Sequence, residues 1–163
     1  GCESMNLEKL FEAQRRLDKR IIQKRSQNES ILSKKILALQ VELGELANEL
    51  PEVFKYWSNK KNNLDNALKE LVDCIHFVLS IGIEMDYELD RVTKMFSETL
   101  TEQFNALFWI TAKYEEEKYE SDYEILFGYL LGLGEMLGFT WEEIEAAYYE
   151  KNAENHRRQE VGY

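Results

Sequence analysis

Two acidic pairs in this chain have a spacing that can do metal chemistry. One is Glu42-Leu-Gly-Glu45, with Glu49 about one turn further on; the other is Glu70-Leu-Val-Asp73. Residues three apart on a helix project from one face about one turn apart. If two such helices pack antiparallel, the four carboxylates converge, and like charges at that range raise one another's pKa. One or two divalent cations relieve the repulsion. An all-oxygen ligand set suits Mg²⁺, with Mn²⁺ as a substitute, rather than zinc or copper. Such a site neutralises phosphate oxygens and orients a water. Gly44 leaves room beside the first pair. Either pair alone reads as a solvated acidic face. Together, on consecutive helices and flush with the apolar stripes, they make a candidate site.

A third group lies near the C-terminal end. Lys151, Asn155 and Arg158 follow at steps of four and three and so share one helix face. An arginine holds phosphate oxygens bidentately and a lysine serves as a point charge, which makes this face a candidate phosphate clamp. The plainer reading is cations offsetting the negative end of the helix dipole. Asp73-Cys-Ile-His76 offers half of a di-iron signature, but the second half is missing, because Ala153 precedes His156 by three. His76 therefore reads as a helix histidine bonded to a neighbour.

These groups need helices to hold them, and the composition supplies little else. The chain has 163 residues with one proline and eight glycines, too few turn residues for a sandwich or barrel. The expected fold is all-α, a bundle of about five to six helices with a four-helix metal-binding core, in a single domain over 5–163. Residues 1–4 read as an expression remnant ahead of Met5.

The periodicity predicts a first helix over 5–25, with a basic polar side. The second carries Leu32, Ile36, Leu39, Leu43, Leu46 and Leu50, is capped by Ser30 or Asn28, and ends at Pro51. A third runs from Leu64 to Ile83 and a fourth from Tyr87 to Lys113 with Val92, Phe96, Leu100, Phe104 and Leu107 on its stripe. The acidic stretch Tyr114–Glu124 reads as a loop or a solvated helix end. A fifth helix covers 122–137, where Gly128, Gly132 and Gly134 permit close helix contact or a break. Thr140 with Glu143 forms a capping box for a last helix that runs to His156 and leaves a polar tail.

The net charge of −11 disfavours nucleic-acid polymers but admits a nucleotide bridged by a cation. No apolar run reaches the roughly 18–20 residues of a membrane span, and the first residues do not form a secretory signal. Cys2 and Cys74 make neither a disulfide framework nor a metal pair, and Cys74 reads as a buried small hydrophobe. A cytoplasmic setting fits these features.

In its motifs the chain resembles the dimeric, all-α dUTPases, within the all-α NTP pyrophosphohydrolase superfamily that includes MazG-like enzymes. The resemblance rests on Glu42-Leu-Gly-Glu45, on Glu70-Leu-Val-Asp73 with Phe77 one turn later, and on Lys151-Asn-x-x-Asn155-x-x-Arg158-Gln-x-x-Gly-Tyr163. The Leu7–Ile22 stretch, with Gln14 and Leu17-Asp18, also looks like the family's first motif. The acidic pairs are shared across the superfamily, and the C-terminal motif narrows the likeness to the dUTPase branch.

The resemblance implies Mg²⁺-dependent hydrolysis of dUTP, and of dUDP, to dUMP, which limits uracil incorporation into DNA. Glu42, Glu45, Glu70 and Asp73 would hold the metal. Glu42 and Glu45 are the catalytic candidates, with Glu42 the base that activates water. Phe77 would press on the sugar and exclude a 2′-hydroxyl. Gln14 would read the uracil edge, Trp57 would line the base pocket, and Lys60 would lie near it. Lys151, Asn155, Arg158 and Tyr163 would close over the phosphates and sugar. The partner is a small-molecule nucleotide, with no nucleic-acid polymer and no membrane, and the assembly a homodimer. The alternatives are a broader MazG-like dNTP pyrophosphohydrolase, dCTP being the first other substrate to test, and a non-enzymatic acidic helical adaptor.

Overall fold

The computed structural model of the chain describes residues 6–23 and 31–162; Cys2, Asn28, Ser30 and Tyr163 lie outside them. The described residues form helices α1 (Leu7–Gln23), α2 (Leu32–Asn48), α3 (Pro51–Phe54), α4 (Leu64–Glu84), α5 (Leu100–Glu117), α6 (Glu120–Met136) and α7 (Trp141–Glu160), with no strand among them. Six are long, and α3 is a single turn. The all-α expectation holds.

The predicted stripes make the core. Leu7, Leu10 and Leu17 of α1, Ile36, Leu39, Leu43 and Leu46 of α2, and Leu71, Ile75 and Val78 of α4 are all buried, as is Cys74. Asn6 caps α1 by accepting from Lys9 N at 3.2 Å, and Asn63 caps α4 by accepting from Asn66 N at 3.0 Å. Thr140 and Glu143 form the expected capping box on α7. The central helix is α4, which packs against α1, α2, α6 and α7, while α5 and α6 pair and α5 also leans on α2. Leu50 is buried as expected, but α2 stops at Asn48. Pro51 then opens α3 at a first-turn position, where its missing N–H costs no hydrogen bond.

Three further boundaries differ from the sequence expectation. The fourth helix begins at Leu100, not Tyr87, with Thr99 as its cap. Asp86, at φ 58°, turns the chain out of α4, and Asp is among the few residues that tolerate this conformation. The segment that follows lies across α6. There Met95 N donates to Gly128 O at 3.0 Å. Wholly buried Gln103 donates from Nε2 to the carbonyls of Met95 (2.8 Å) and Tyr129 (2.9 Å) and accepts from Ser97 N (2.6 Å). A Cβ on Gly128 or Gly132 would collide with the carbonyl oxygen of Thr93 or Met95. Those two glycines thus admit the close approach of a non-helical backbone, not another helix, and Phe96 is left exposed.

Of the two readings of Tyr114–Glu124, the solvated helix end holds for exposed Glu115, Glu116 and Glu117, and the loop does not hold. α5 continues to Glu117, Lys118 at φ 57° makes the turn, and α6 starts at Glu120. The buried surface here comes from Tyr114 and Tyr123, both wholly buried, and buried Asp122 has Lys113 Nζ at 3.3 Å. Finally, α7 runs on past His156 to Glu160, and Arg20 of α1 reaches His156 Nδ1 at 3.1 Å and Glu160 at 3.7 Å.

Candidate active site

The packing of α2 on α4 brings Glu42, Glu45, Glu70 and Asp73 to one cleft of about 410 Å³. Helix α7, which also packs on α4, puts Lys151, Asn155 and Arg158 on its other wall. Phe77 borders it too, its ring edge-on to His76 with centroids 4.9 Å apart. Eight of the twelve residues singled out from the sequence thus meet in one place.

Carboxylate oxygens of Glu42, Glu45 and Glu70 all lie within 4.8 Å of one another. Glu42 Oε2 and Glu70 Oε2 are buried and have no hydrogen-bond partner among the described residues. A buried, unpartnered carboxylate oxygen is costly, and these two groups with exposed Glu45 form an all-oxygen donor set suited to a hard divalent cation. Asp73 stands beside this trio, with Lys151 Nζ 3.4 Å from its Oδ1.

The electrostatics follow from the crowding. Burial, contact with Glu70 and the charges of Asp73, Glu45 and Glu70 push the Glu42 carboxyl from 4.5 up to about 8. Asp73 rises to about 6; burial raises it most, Lys151 pulls it down and Glu70 pushes it up again. His76 falls to about 4, mainly through burial, with Asp18 opposing and Lys151 and Lys35 assisting. At neutral pH it is an uncharged imidazole at the cleft wall.

Gln14 is placed differently from its sequence reading. It is wholly buried, donates from Nε2 to Asp18 Oδ1 at 2.8 Å and accepts from the Tyr148 hydroxyl at 2.7 Å. Its Nε2 lies 3.5 Å from His76 Nε2, which puts it one layer behind the cleft. Asp18 also accepts from the Ser80 hydroxyl at 2.7 Å, so α1, α4 and α7 share one buried polar network. Trp57 and Lys60 do not border the cleft. They sit in the exposed stretch between α3 and α4, where Trp57 packs edge-on to Tyr56, with centroids 4.9 Å apart. Tyr163 lies outside the described residues. A Cβ added at Gly44 would meet nothing within 4 Å, so packing does not require a glycine there.

Three more residues border the cleft to which the sequence reading gave no site role: Ile21, Gln159 and His76, the last bonded to a neighbour, Gln14, as expected. His76 follows Asp73 by three and Gln159 follows Asn155 by four, so helix periodicity was an available signal for both. Ile21 is an apolar residue of the first helix with no chemical group to single it out.

Clustered carboxylates facing cations across a cleft of an all-helical bundle suit a class of protein that binds cation-bridged phosphates. The model of the dUTPase family matches residues 6–163, and the chain belongs to that family, the all-α dUTPases. It is accordingly an enzyme of dUTP hydrolysis. Comparison with curated proteins gave no match.

Proposed function

We propose that this cleft hydrolyses dUTP, and also dUDP, to dUMP, releasing pyrophosphate or phosphate, and that it does so with Mg²⁺. The observation that carries this reading is the Glu42–Glu45–Glu70 trio, with two buried unpartnered oxygens, opposite Lys151 and Arg158. Glu42, Glu45 and Glu70 would hold the ion, with Asp73 completing the set once Lys151 turns to substrate. When bound, Mg²⁺ supplies positive charge to the phosphate oxygens and acidifies water.

The chain's own residues account for the rest. With the ion bound and its carboxyl ionised, Glu42 would take a proton from water as general base, and Glu45 would orient that water. Lys151, Asn155 and Arg158 bind the phosphates, and Phe77 presses on the sugar where a 2′-hydroxyl would sit. Gln14 acts on the base through His76, which it positions from behind. Trp57, Lys60 and Tyr163 complete the nucleotide pocket in a homodimer. Exposed Leu37, Val41, Trp57 and Trp109 supply apolar surface suited to that assembly. No helix among the described residues is long and apolar enough to cross a membrane, and we place the enzyme in the cytoplasm.

The test is a panel of dUTP, dUDP, dCTP, dTTP and UTP, with pyrophosphate and phosphate detection. dUTP and dUDP should turn over with Mg²⁺ and stop with EDTA. Glu45→Gln or Asp73→Asn should lower kcat by about 100-fold or more, the scale of losing a group that acts at the reacting centre. Equal hydrolysis of dUTP, dCTP and dTTP would refute the uracil preference and leave the broader pyrophosphohydrolase. Absence of any turnover would leave the acidic adaptor.

A further inference from the structure

Helix α7 carries an acid between the two cations of the phosphate-binding wall. Glu154 follows Lys151 by three and precedes Arg158 by four. Its Oε2 lies 3.9 Å from Lys151 Nζ and its Oε1 accepts from Arg158 Nη2 at 2.9 Å. Lys151 meets a second carboxylate, Asp73, at 3.4 Å on its other side. Glu154 itself is not among the residues that border the cleft. Both cations are therefore offset by carboxylates before any substrate arrives, one of which has no contact with the space the substrate fills.

We propose that Glu154 is a positioning residue that acts as an internal counter-anion, competing with phosphate oxygens for Lys151 and Arg158. The inference rests on the reading of those two residues as phosphate ligands. In the free protein Glu154 pairs with both side chains. On binding, the phosphates must share or replace its contacts. The cost falls on every anion that uses the clamp, so Glu154 weakens binding of the pyrophosphate product as well as of substrate. With substrate below KM it thereby limits inhibition by a product that carries the same phosphate groups.

A unit charge about 4 Å away in a water-exposed setting changes affinity by about two- to five-fold. Glu154→Gln keeps the shape and an oxygen for Arg158 but removes the charge. At low salt it should lower both the inhibition constant of inorganic pyrophosphate and the KM for dUTP by about that factor. The difference should fade as added salt screens the site. A merely structural role would instead raise both constants, without that salt dependence. Unchanged or raised constants in Glu154→Gln overturn the proposal.

Arg158→Gln separates this failure from failure of the underlying reading. If the clamp exists, that variant weakens pyrophosphate inhibition. If Arg158→Gln leaves inhibition and KM unchanged, the phosphate clamp itself is refuted, and the proposal falls with it. If Arg158→Gln is defective while Glu154→Gln shows no tightening, only the counter-anion is refuted.

Discussion

Removing one carboxylate from the acidic trio should stabilise the metal-free protein, and the gain should depend on pH. Burial and neighbouring carboxylates hold the Glu42 carboxyl at about 8 in the fold, against 4.5 when unperturbed. Below pH 4.5 the group is protonated in both folded and unfolded states and costs nothing. Between 4.5 and 8 the unfolded chain ionises while the fold keeps the proton, so the penalty grows. Above 8 it levels off at its full value, and stability is lost as pH rises. At about 1.4 kcal/mol per pH unit, the full rise would amount to about 5 kcal/mol. Water reaches part of this carboxyl and screens it, which cuts the figure to about 2 kcal/mol.

Glu42→Gln should therefore raise Tm in EDTA at pH 8.5 by about 4–8 °C for a chain of this size. At pH 5.5 the gain should be roughly a third as large, because less of the titration range has been crossed. Thermal melts of both proteins at the two pH values measure this directly. Asp73, raised to about 6, titrates in both proteins and largely cancels in the comparison. Added Mg²⁺ should reverse the order of advantage, raising the wild-type Tm more than the variant's through linkage. A variant no more stable than wild type at pH 8.5, or equally stabilised at both pH values, would refute the strained-carboxylate account.

Two further substitutions test the parts that position the site. Gly132→Ala puts a methyl group into the carbonyl oxygen of Met95 and should cost about 1–3 kcal/mol in urea denaturation, while the remaining folded enzyme keeps its kcat. Tyr148→Phe leaves Gln14 Oε1 buried without its donor; it should cost about 1–3 kcal/mol and raise the KM for dUTP as Gln14 and His76 loosen.

The helices that carry the carboxylates were legible because amphipathic periodicity and local burial agree. Leu39, Leu43 and Leu46 recur on one face, and Glu42 and Glu45 flank it. The same logic placed the cap at Thr140 and the alignment of Lys151 with Arg158. It failed where burial comes from residues that look polar or neutral in one dimension. Tyr114, Tyr123 and Asp122 sit in an acidic stretch low in aliphatics, yet all three are buried. It failed again at Val92 and Phe96, whose spacing imitates a helix, while Asp86 turns the chain and the glycines of α6 leave room for the carbonyls of a non-helical segment. Gln14 was singled out, but its depth was not readable. A glutamine facing substrate and one facing a buried aspartate have the same helical spacing.

What the sequence determined by itself was the set of chemical groups and the helix faces that present them, since both follow from residue type and a period of 3.6. Only the tertiary structure decided which faces meet. Packing α4 between α2 and α7 brought Glu70 against Glu42 and Asp73 against Lys151, residues 28 and 78 apart in the chain. Contacts at such separations depend on how whole helices fill space, and no local pattern encodes that. The same packing set the protonation of Glu42, the depth of Gln14 and the exposure of Trp57, because burial and neighbouring charge are properties of the assembled bundle.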